Sequence, residues 1–448
     1  MSTHLHYCDV SPKKIHTDTV MTYILYADDL ALCSESADGL QKLINGLFQF
    51  CSKWHLIVSL AKTNVLIFGK NNSSDTFKFN TEQIEVATEY RYLGTVISTK
   101  THSIFKKNSE HLADKARNAL FALNSYIQNS IGYLHPSLAF KMFDVQISPI
   151  LEYASDIWYQ GHATPELEKI HLGYLKSTLK IKPSSSTCAI YAECGRFPLV
   201  IKQKYHTLKF WKRITELDDS NIVKKAYNSM LELHKLGQQN WCTYIYNILN
   251  DMEYHQAWDE QYIDNKQLGN IKEKLYKCYM NECLENINDP SKFPKLRTYK
   301  LFKREFKLES YLTVTKNIHY SLAMLKFRIS SHNLHIETGR YSRPTKTPVN
   351  ERLCQYCSSK AIEDEKHFLL DCTLYETERI ELFDIIEQKV VSTFGNFSRE
   401  EKFIFLMTSI EPVVVELISK FIYYSFRKRN MTAGDACNFP QLPSFQRD

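Results

Sequence analysis

Tyr26-Ala27-Asp28-Asp29 lies between two short apolar runs, Thr22-Tyr23-Ile24-Leu25 and Leu30-Ala31-Leu32-Cys33. Each run is long enough for a strand, and together they predict a hairpin with two adjacent carboxylates at its turn. Neighbouring aspartates at a tight turn repel one another unless a cation holds them, and a divalent metal is the usual reason for such a pair. The plainer alternative is a surface hairpin carrying two solvated acids.

The pattern around this hairpin is mixed α/β. Ser36 to Leu56 carries Leu40, Leu43, Ile44, Leu47 and Phe50 at helical spacing, and Val65-Leu66-Ile67-Phe68 reads as a strand. Asn71 to Asp75 is a turn signal, and Tyr90 to Ile97 predicts another strand pair. From about residue 104 the chain turns helical, with Leu112, Ala116, Ala119, Leu123 and Ile127 on one face. A second helix is predicted from Ser137 to Tyr159, kinked or split by Pro149. Lys182-Pro183-Ser184-Ser185-Ser186-Thr187 is the clearest early boundary, and a run of helices follows it. Gly and Pro are scarce, 13 of each in 448 residues, which suits a compact, mostly helical chain without long flexible linkers.

Two later stretches give the hairpin a context. Lys62-Thr63-Asn64-Val65-Leu66-Ile67-Phe68 is a lysine followed by a strand, and Tyr90-Arg91-Tyr92-Leu93-Gly94 precedes a bend. In order and spacing the three motifs resemble the palm of reverse transcriptases of the non-LTR, LINE-type retrotransposons. Ser148 to Trp158 and Tyr191 to Leu199 are similar to segments downstream of the palm in that family. The resemblance implies that Asp28 and Asp29 hold Mg2+ for RNA-directed DNA synthesis, with Lys62 near the triphosphate. It implies that Tyr26 packs beneath the nucleotide, and that Tyr92, Leu93 and Gly94 form a hairpin gripping the primer end. RNA template, DNA primer or target and nucleotides are the implied partners of the intact enzyme.

Members of that family also carry a catalytic aspartate on an earlier strand, a pocket helix and fingers. Only 25 residues precede Tyr26 here, fewer than a strand, its connection and a packing helix require. Asp9 and Asp18 are the upstream aspartates, and both read as solvated loop residues. The expectation is therefore an N-terminally truncated member that does not polymerise alone, because catalytic groups acting as a unit fail together.

Further on, Cys354, Cys357, His367 and Cys372 follow the pattern C-x2-C-x9-H-x4-C. Two knuckle thiolates and a His/Cys pair on one helical face are suited to a structural Zn2+. Chance placement of reduced cysteines is the alternative. Between these regions, Lys295, Arg297, Lys300, Lys303, Arg304 and Lys307 crowd together with Lys292, interleaved by Phe293, Tyr299, Phe302 and Phe306. A helix there would either present phosphate-binding charges and stacking rings, or a solvated face over an apolar stripe. Lys326, Arg328, His332, His335, Arg340 and Arg343 extend the basic character, with Glu337 as a local partner. The net charge of +6 permits nucleic-acid binding without demonstrating it.

The predicted fold is mixed α/β and predominantly helical: a partial polymerase palm sheet (1–100), a helical thumb-like domain (101–182), a helical connector (183–310), a zinc-binding module (311–390) and a C-terminal helix and tail (391–448). A non-catalytic RNA- or DNA-binding protein with a structural zinc module is the alternative function. A product of a decayed element, without selected activity, is a third reading. The first residues contain no apolar leader and no run is long enough to span a membrane, so an intracellular location, nuclear or cytoplasmic, is expected.

Overall fold

In the computed structural model the described residues are 2–9, 22–69, 75–101, 103–130, 134–159, 161, 164–289 and 291–432. The Asn71 to Asp75 turn signal lies outside them except for its last residue, and Asp18 lies outside them altogether.

Six strands build the main sheet: β1 (Ser2–Asp9), β2 (Tyr23–Tyr26), β3 (Asp29–Ser34), β4 (Asn64–Gly69), β5 (Phe77–Phe79) and β6 (Glu82–Ala87), in the order β2-β3-β1-β4-β6-β5. β2 and β3 are the expected hairpin, paired antiparallel with Tyr26 opposite Asp29. β1 runs parallel to both β3 and β4 and fills the centre of the sheet. This corrects the sequence reading of Asp9: its backbone belongs to a strand, not a loop. Its register nevertheless keeps it away from the hairpin turn. Ser2 is opposite Asp29, and Asp9 is opposite Gly69, seven residues further along β1. At about 3.3 Å per residue that is roughly 23 Å.

One face of the sheet is covered by α1 (Ala37–Lys53), which starts where Ser36 accepts the Gly39 amide at 3.1 Å and buries Leu40 and Ile44. These side chains meet Leu30, Leu32, Val65, Ile67, Phe77 and Ile84 in one core cluster. The outer edge of the sheet is closed by α1 as well. The Gln41 side chain accepts the Lys78 amide at 2.9 Å and donates to its carbonyl at 2.7 Å, so β5 has a partner on its open side. β7 (Glu89–Tyr92) and β8 (Thr95–Ser98) form a separate two-stranded ribbon.

The rest is helical, so the fold is mixed α/β and predominantly helix. α2 (Lys106–Ser130) matches the predicted stripe. The predicted Ser137 to Tyr159 helix is split, as Pro149 allows, into Pro136–Gln146, Ser148–Leu151 and Ser155–Trp158. The chain forms two compact units, each assembled from three stretches: residues 1–121, 147–168 and 199–272 in the first, and 122–146, 169–198 and 273–448 in the second. The sequence reading divides the chain serially, but Lys182 to Thr187 lies inside one unit. Among the described residues no helix is long and apolar enough to cross a membrane.

The second unit is held by charges as well as by apolar packing. Glu193 is fully buried, and both of its carboxylate oxygens are bound by Arg328, at 2.7 and 2.9 Å. Tyr299 donates to it at 2.9 Å, Tyr311 also donates, and Lys303 stands 3.4 Å away. Burial alone would raise the Glu193 carboxyl, but Arg328 and Lys303 outweigh it and hold the group at about 2. Gly195, two residues on, has φ +59°, and a Cβ there would stand 2.5 Å from the Leu308 backbone nitrogen. Arg196 grips Asp144 with two hydrogen bonds, at 2.9 and 2.7 Å. The Tyr191 to Leu199 segment is thus a structural hub.

Candidate functional site

Ala27 carries the hairpin turn with φ 53°, a left-handed conformation that costs a residue with a Cβ of order 1–3 kcal/mol. The next two residues are Asp28, exposed, and Asp29, partly buried at the start of β3. Register then places Lys62. Asn64, the first residue of β4, is opposite His4 of β1, and His4 is opposite Ala31 of β3, so the 3-10 turn Leu60–Lys62 that leads into β4 comes at the same end of the sheet as Asp29, the first residue of β3.

The β7–β8 ribbon comes to this end. The Tyr90 hydroxyl donates to the Lys62 carbonyl at 3.1 Å. Burial, and next the charge of Asp29, push the Tyr92 hydroxyl above its ordinary range, which puts Tyr92 within electrostatic reach of Asp29. The ribbon turns on Leu93 and Gly94, with φ 47° and 82°, the pair of positive angles that a tight two-residue hairpin uses. Tyr153 donates its hydroxyl to the Leu93 carbonyl at 2.9 Å and lies against Gly94 so closely that a Cβ there would meet its ring at 2.9 Å.

The fold therefore gathers Asp28, Asp29, Lys62 and Tyr92 at one sheet end and seats Leu93 and Gly94 on Tyr153. Tyr153 has no role in the motif reading. It lies inside the Ser148 to Trp158 segment singled out in the sequence, but its contact sixty residues back is visible only in three dimensions. Tyr26 is placed differently from its implied role. It is 64% exposed on the edge strand β2, beside Tyr23, Ile24 and Leu25, which are also exposed. As a donor set for metal, the turn offers two carboxylates from one hairpin. The β1 residue level with Asp29 is a serine, not an acid. Among the described residues, these two carboxylates from a single turn are a sparse donor set for two divalent ions.

The Cys/His cluster is in the second unit. One ligand atom from each of Cys354, Cys357, His367 and Cys372 lies within 4.8 Å of all the others. The Cys354 and Cys372 sulfurs are 3.9 Å apart, and the Cys357 sulfur is 3.4 Å from His367 Nε2. A tetrahedron with bonds of about 2.3 Å to sulfur and 2.0–2.1 Å to nitrogen has edges of roughly 3.5–3.8 Å, so the set fits zinc. The way His367 and Cys372 converge differs from the sequence argument. Five residues of α-helix turn the chain by about 500°, leaving the two about 140° apart. The structure instead winds His367–Asp371 as a π-turn, in which the Cys372 amide reaches the His367 carbonyl at 2.8 Å and brings the pair to one side.

The basic segment needs correction. It is not a helix beyond the single turn Tyr299–Phe302. Lys303 is buried, bound to Glu309 and beside Glu193. Arg297 is turned inward, paired with Glu337 and, at 2.7 and 2.8 Å, with Glu365. Neither guanidinium nor ammonium is available to a phosphate. Tyr299 and Phe302 are core residues, so those rings do not stack on bases, and Arg328 is part of the Glu193 hub. Arg304 and Lys307 are exposed, Lys307 with Glu305 at 3.0 Å, while Lys295 and Lys300 are half-buried.

Residues 6–97, the span that holds the hairpin, Lys62 and the β7–β8 ribbon up to Ile97, match the family model described as reverse transcriptase (RNA-dependent DNA polymerase). Over 156 residues, 34% of this chain, the sequence is 26% identical to an uncharacterised transposon-derived protein of Caenorhabditis elegans. That alignment covers 53% of the worm protein, so the chain spans about half the length of the curated relative it matches. No solved structure matches the chain. The N-terminal region of this chain is thus similar to reverse transcriptases, and 156 of its residues align with a transposon-derived protein.

Proposed function

We propose that this chain is a LINE-type retrotransposon reverse transcriptase relative that binds RNA and DNA but does not by itself extend a primer. The observation that carries the first half is the meeting of Asp28, Asp29, Lys62 and Tyr92 at one sheet end, inside the span that matches reverse transcriptases. Lys62 there is suited to neutralising or protonating a phosphate, and the Leu93–Gly94 turn to close backbone approach by a primer strand. The second half follows from the donor set. A divalent ion supplies activation of the primer hydroxyl and charge neutralisation in such reactions. Two carboxylates from one turn give an open, weak site for it.

The test is primer extension by the purified 448-residue chain on an RNA template, with Mg2+ and all four nucleotides. No extension is expected, together with binding of template–primer that weakens steeply with salt. Extension that Asp28→Ala abolishes would overturn the inactivity, and absence of any nucleic-acid binding would overturn the whole reading.

A non-catalytic role with a structural zinc is favoured by a separate observation, the tetrahedral spacing of Cys354, Cys357, His367 and Cys372. These residues would hold Zn2+ with every position filled by protein, leaving none open for chemistry. The two readings share the zinc and both expect no primer extension; they divide on whether Lys62→Ala weakens template–primer binding, which only the first expects.

A further inference from the structure

The second unit contains a cleft of about 960 Å³, lined in part by Lys292, Phe293, Lys295 and Arg340 of the basic stretches. Its walls are the loop 182–186, the stretch 292–296, the turn 329–332 and the segment 337–346 with Arg352. Five of its basic residues, Lys182, Lys292, Lys295, Arg340 and Lys346, come from three separate parts of the chain. The acid lining it is Glu337, already paired with Arg297 and, at 3.1 Å, with Arg340. A sixth cation, Arg352, is fixed in the wall by hydrogen bonds to the carbonyls of Thr347 and Ile336, at 2.9 and 2.7 Å.

Three further features point the same way. The helix Thr187–Cys194 begins at the cleft, its N-cap Ser186 forming part of the lining, so the positive end of its dipole faces inward. Burial, and next the charges of Lys180 and the cleft residue Lys182, press the Lys326 ammonium below its ordinary range. The floor is apolar and partly aromatic. Tyr341 is 66% exposed, with the Lys295 ammonium 5.2 Å from its ring centroid. Phe293, Leu296 and Ile329 complete the surface.

We propose that this cleft seats an unpaired stretch of nucleic acid, with phosphodiesters on Lys182, Lys292 and Lys346 and a base stacked on Tyr341. Cations around an exposed ring are the combination that single strands use: charge follows the backbone, and the ring takes a base face of any sequence. A duplex would keep its bases stacked inside and leave Tyr341 without a role. The choice of nucleic acid over another polyanion rests on the function proposed above; the location of the site rests on the cleft alone.

The experiment uses the full chain, fluorescein-labelled oligouridylate and oligothymidylate, a labelled duplex of equal length, and heparin as competitor, read by anisotropy across a salt series. Lys292, Lys346 and Tyr341 are exposed, so their variants are expected to keep the parent melting temperature. Lys292→Glu/Lys346→Glu is expected to weaken single-strand binding at least about tenfold and to flatten the salt slope by about 1.4, at about 0.7 for each phosphate no longer neutralised. Tyr341→Ala is expected to weaken it about tenfold with the slope unchanged, and Tyr341→Trp to restore it. If the chain binds but all these variants bind like the parent, the strand is seated elsewhere and the cleft proposal fails while the proposed function stands. If Tyr341→Ala has no effect, or duplex binds as well as single strand, the base contact is wrong. If the parent binds nothing that heparin displaces, both readings fail.

Discussion

Two residues show how individual positions control this molecule. Gly94 sits at φ 82° with the Tyr153 ring where its Cβ would be. Gly94→Ala adds a backbone penalty and a steric one, and is expected to destabilise the first unit by about 2–4 kcal/mol. In a Tyr153→Ala background the steric part disappears, so the same substitution should cost about 1–2 kcal/mol less; urea titration of the four proteins measures the difference. Glu193 is the other. Its carboxyl is held at about 2, below its ordinary value of 4.5, by Arg328 and Lys303 despite burial. Glu365 is likewise held at about 2, its burial outweighed by His332 and Arg297. A carboxyl depressed in the folded state contributes stability above its unfolded value and loses that contribution as pH falls through its folded value. The second unit is therefore expected to lose stability between pH 4.5 and about 2. Glu193→Gln leaves Arg328 and Lys303 short of one buried counter-charge and is expected to cost about 3–5 kcal/mol at pH 7. Its stability curve should also be flatter than the parent's over that acid window. A variant as acid-sensitive as the parent would place the effect in other carboxylates.

At the scale of elements, the sequence was most legible where a short-range pattern determines a local shape. The Tyr26 to Asp29 hairpin, the Ser36-capped α1, the strand after Lys62 and the Leu93–Gly94 bend are each written in turn chemistry or periodicity, and each formed where expected. Legibility failed where the shape depends on distant partners. β1 carries no strand signature strong enough to separate it from a loop; its place between β3 and β4 is set by pairing with both. The basic segment misled because charge spacing was read as helix spacing. Its lysines and arginines come at irregular intervals because Arg297 and Lys303 answer acids 68 and 6 residues away. The four cysteine and histidine positions were legible, but the way they meet was not, since a π-turn leaves no mark in a five-residue spacing. The geometry also makes a sharp prediction. Inserting one alanine after Leu369 moves Cys372 a further residue from His367, beyond the reach of the π-turn. The inserted protein should then hold no zinc by elemental analysis, where the parent holds about one per chain. Equal zinc in both would mean that His367 and Cys372 are not partners on one ion.

For the whole molecule, the division into two units decides what metal removal should do. The acidic hairpin, Lys62 and the β7–β8 ribbon belong entirely to the first unit; the Cys/His cluster, the Glu193 hub and the basic cleft belong entirely to the second. If Zn2+ ties Cys354 and Cys357 to His367 and Cys372, its free energy of binding is part of the second unit's folding free energy. Loss of the metal would also leave three sulfur groups crowded together. Hydrogen bonding with Cys372 and burial already push the Cys354 thiol up to about 12, so the cluster resists multiple ionisation without a cation. A strong chelator should therefore lower the melting temperature of the second unit and remove single-strand binding at the cleft. The first unit has its own core around Leu40, Ile44, Val65 and Phe77 and no ligand in the cluster, so its transition should stay in place. Hydrogen exchange resolves the two: amides of the helix Ile318–Arg328 should lose protection on chelation, while those of β3 and β4 keep theirs. Equal loss in both would mean that the cluster's metal stabilises the chain as a single cooperative body. No loss in either would leave the four ligand residues without a structural ion.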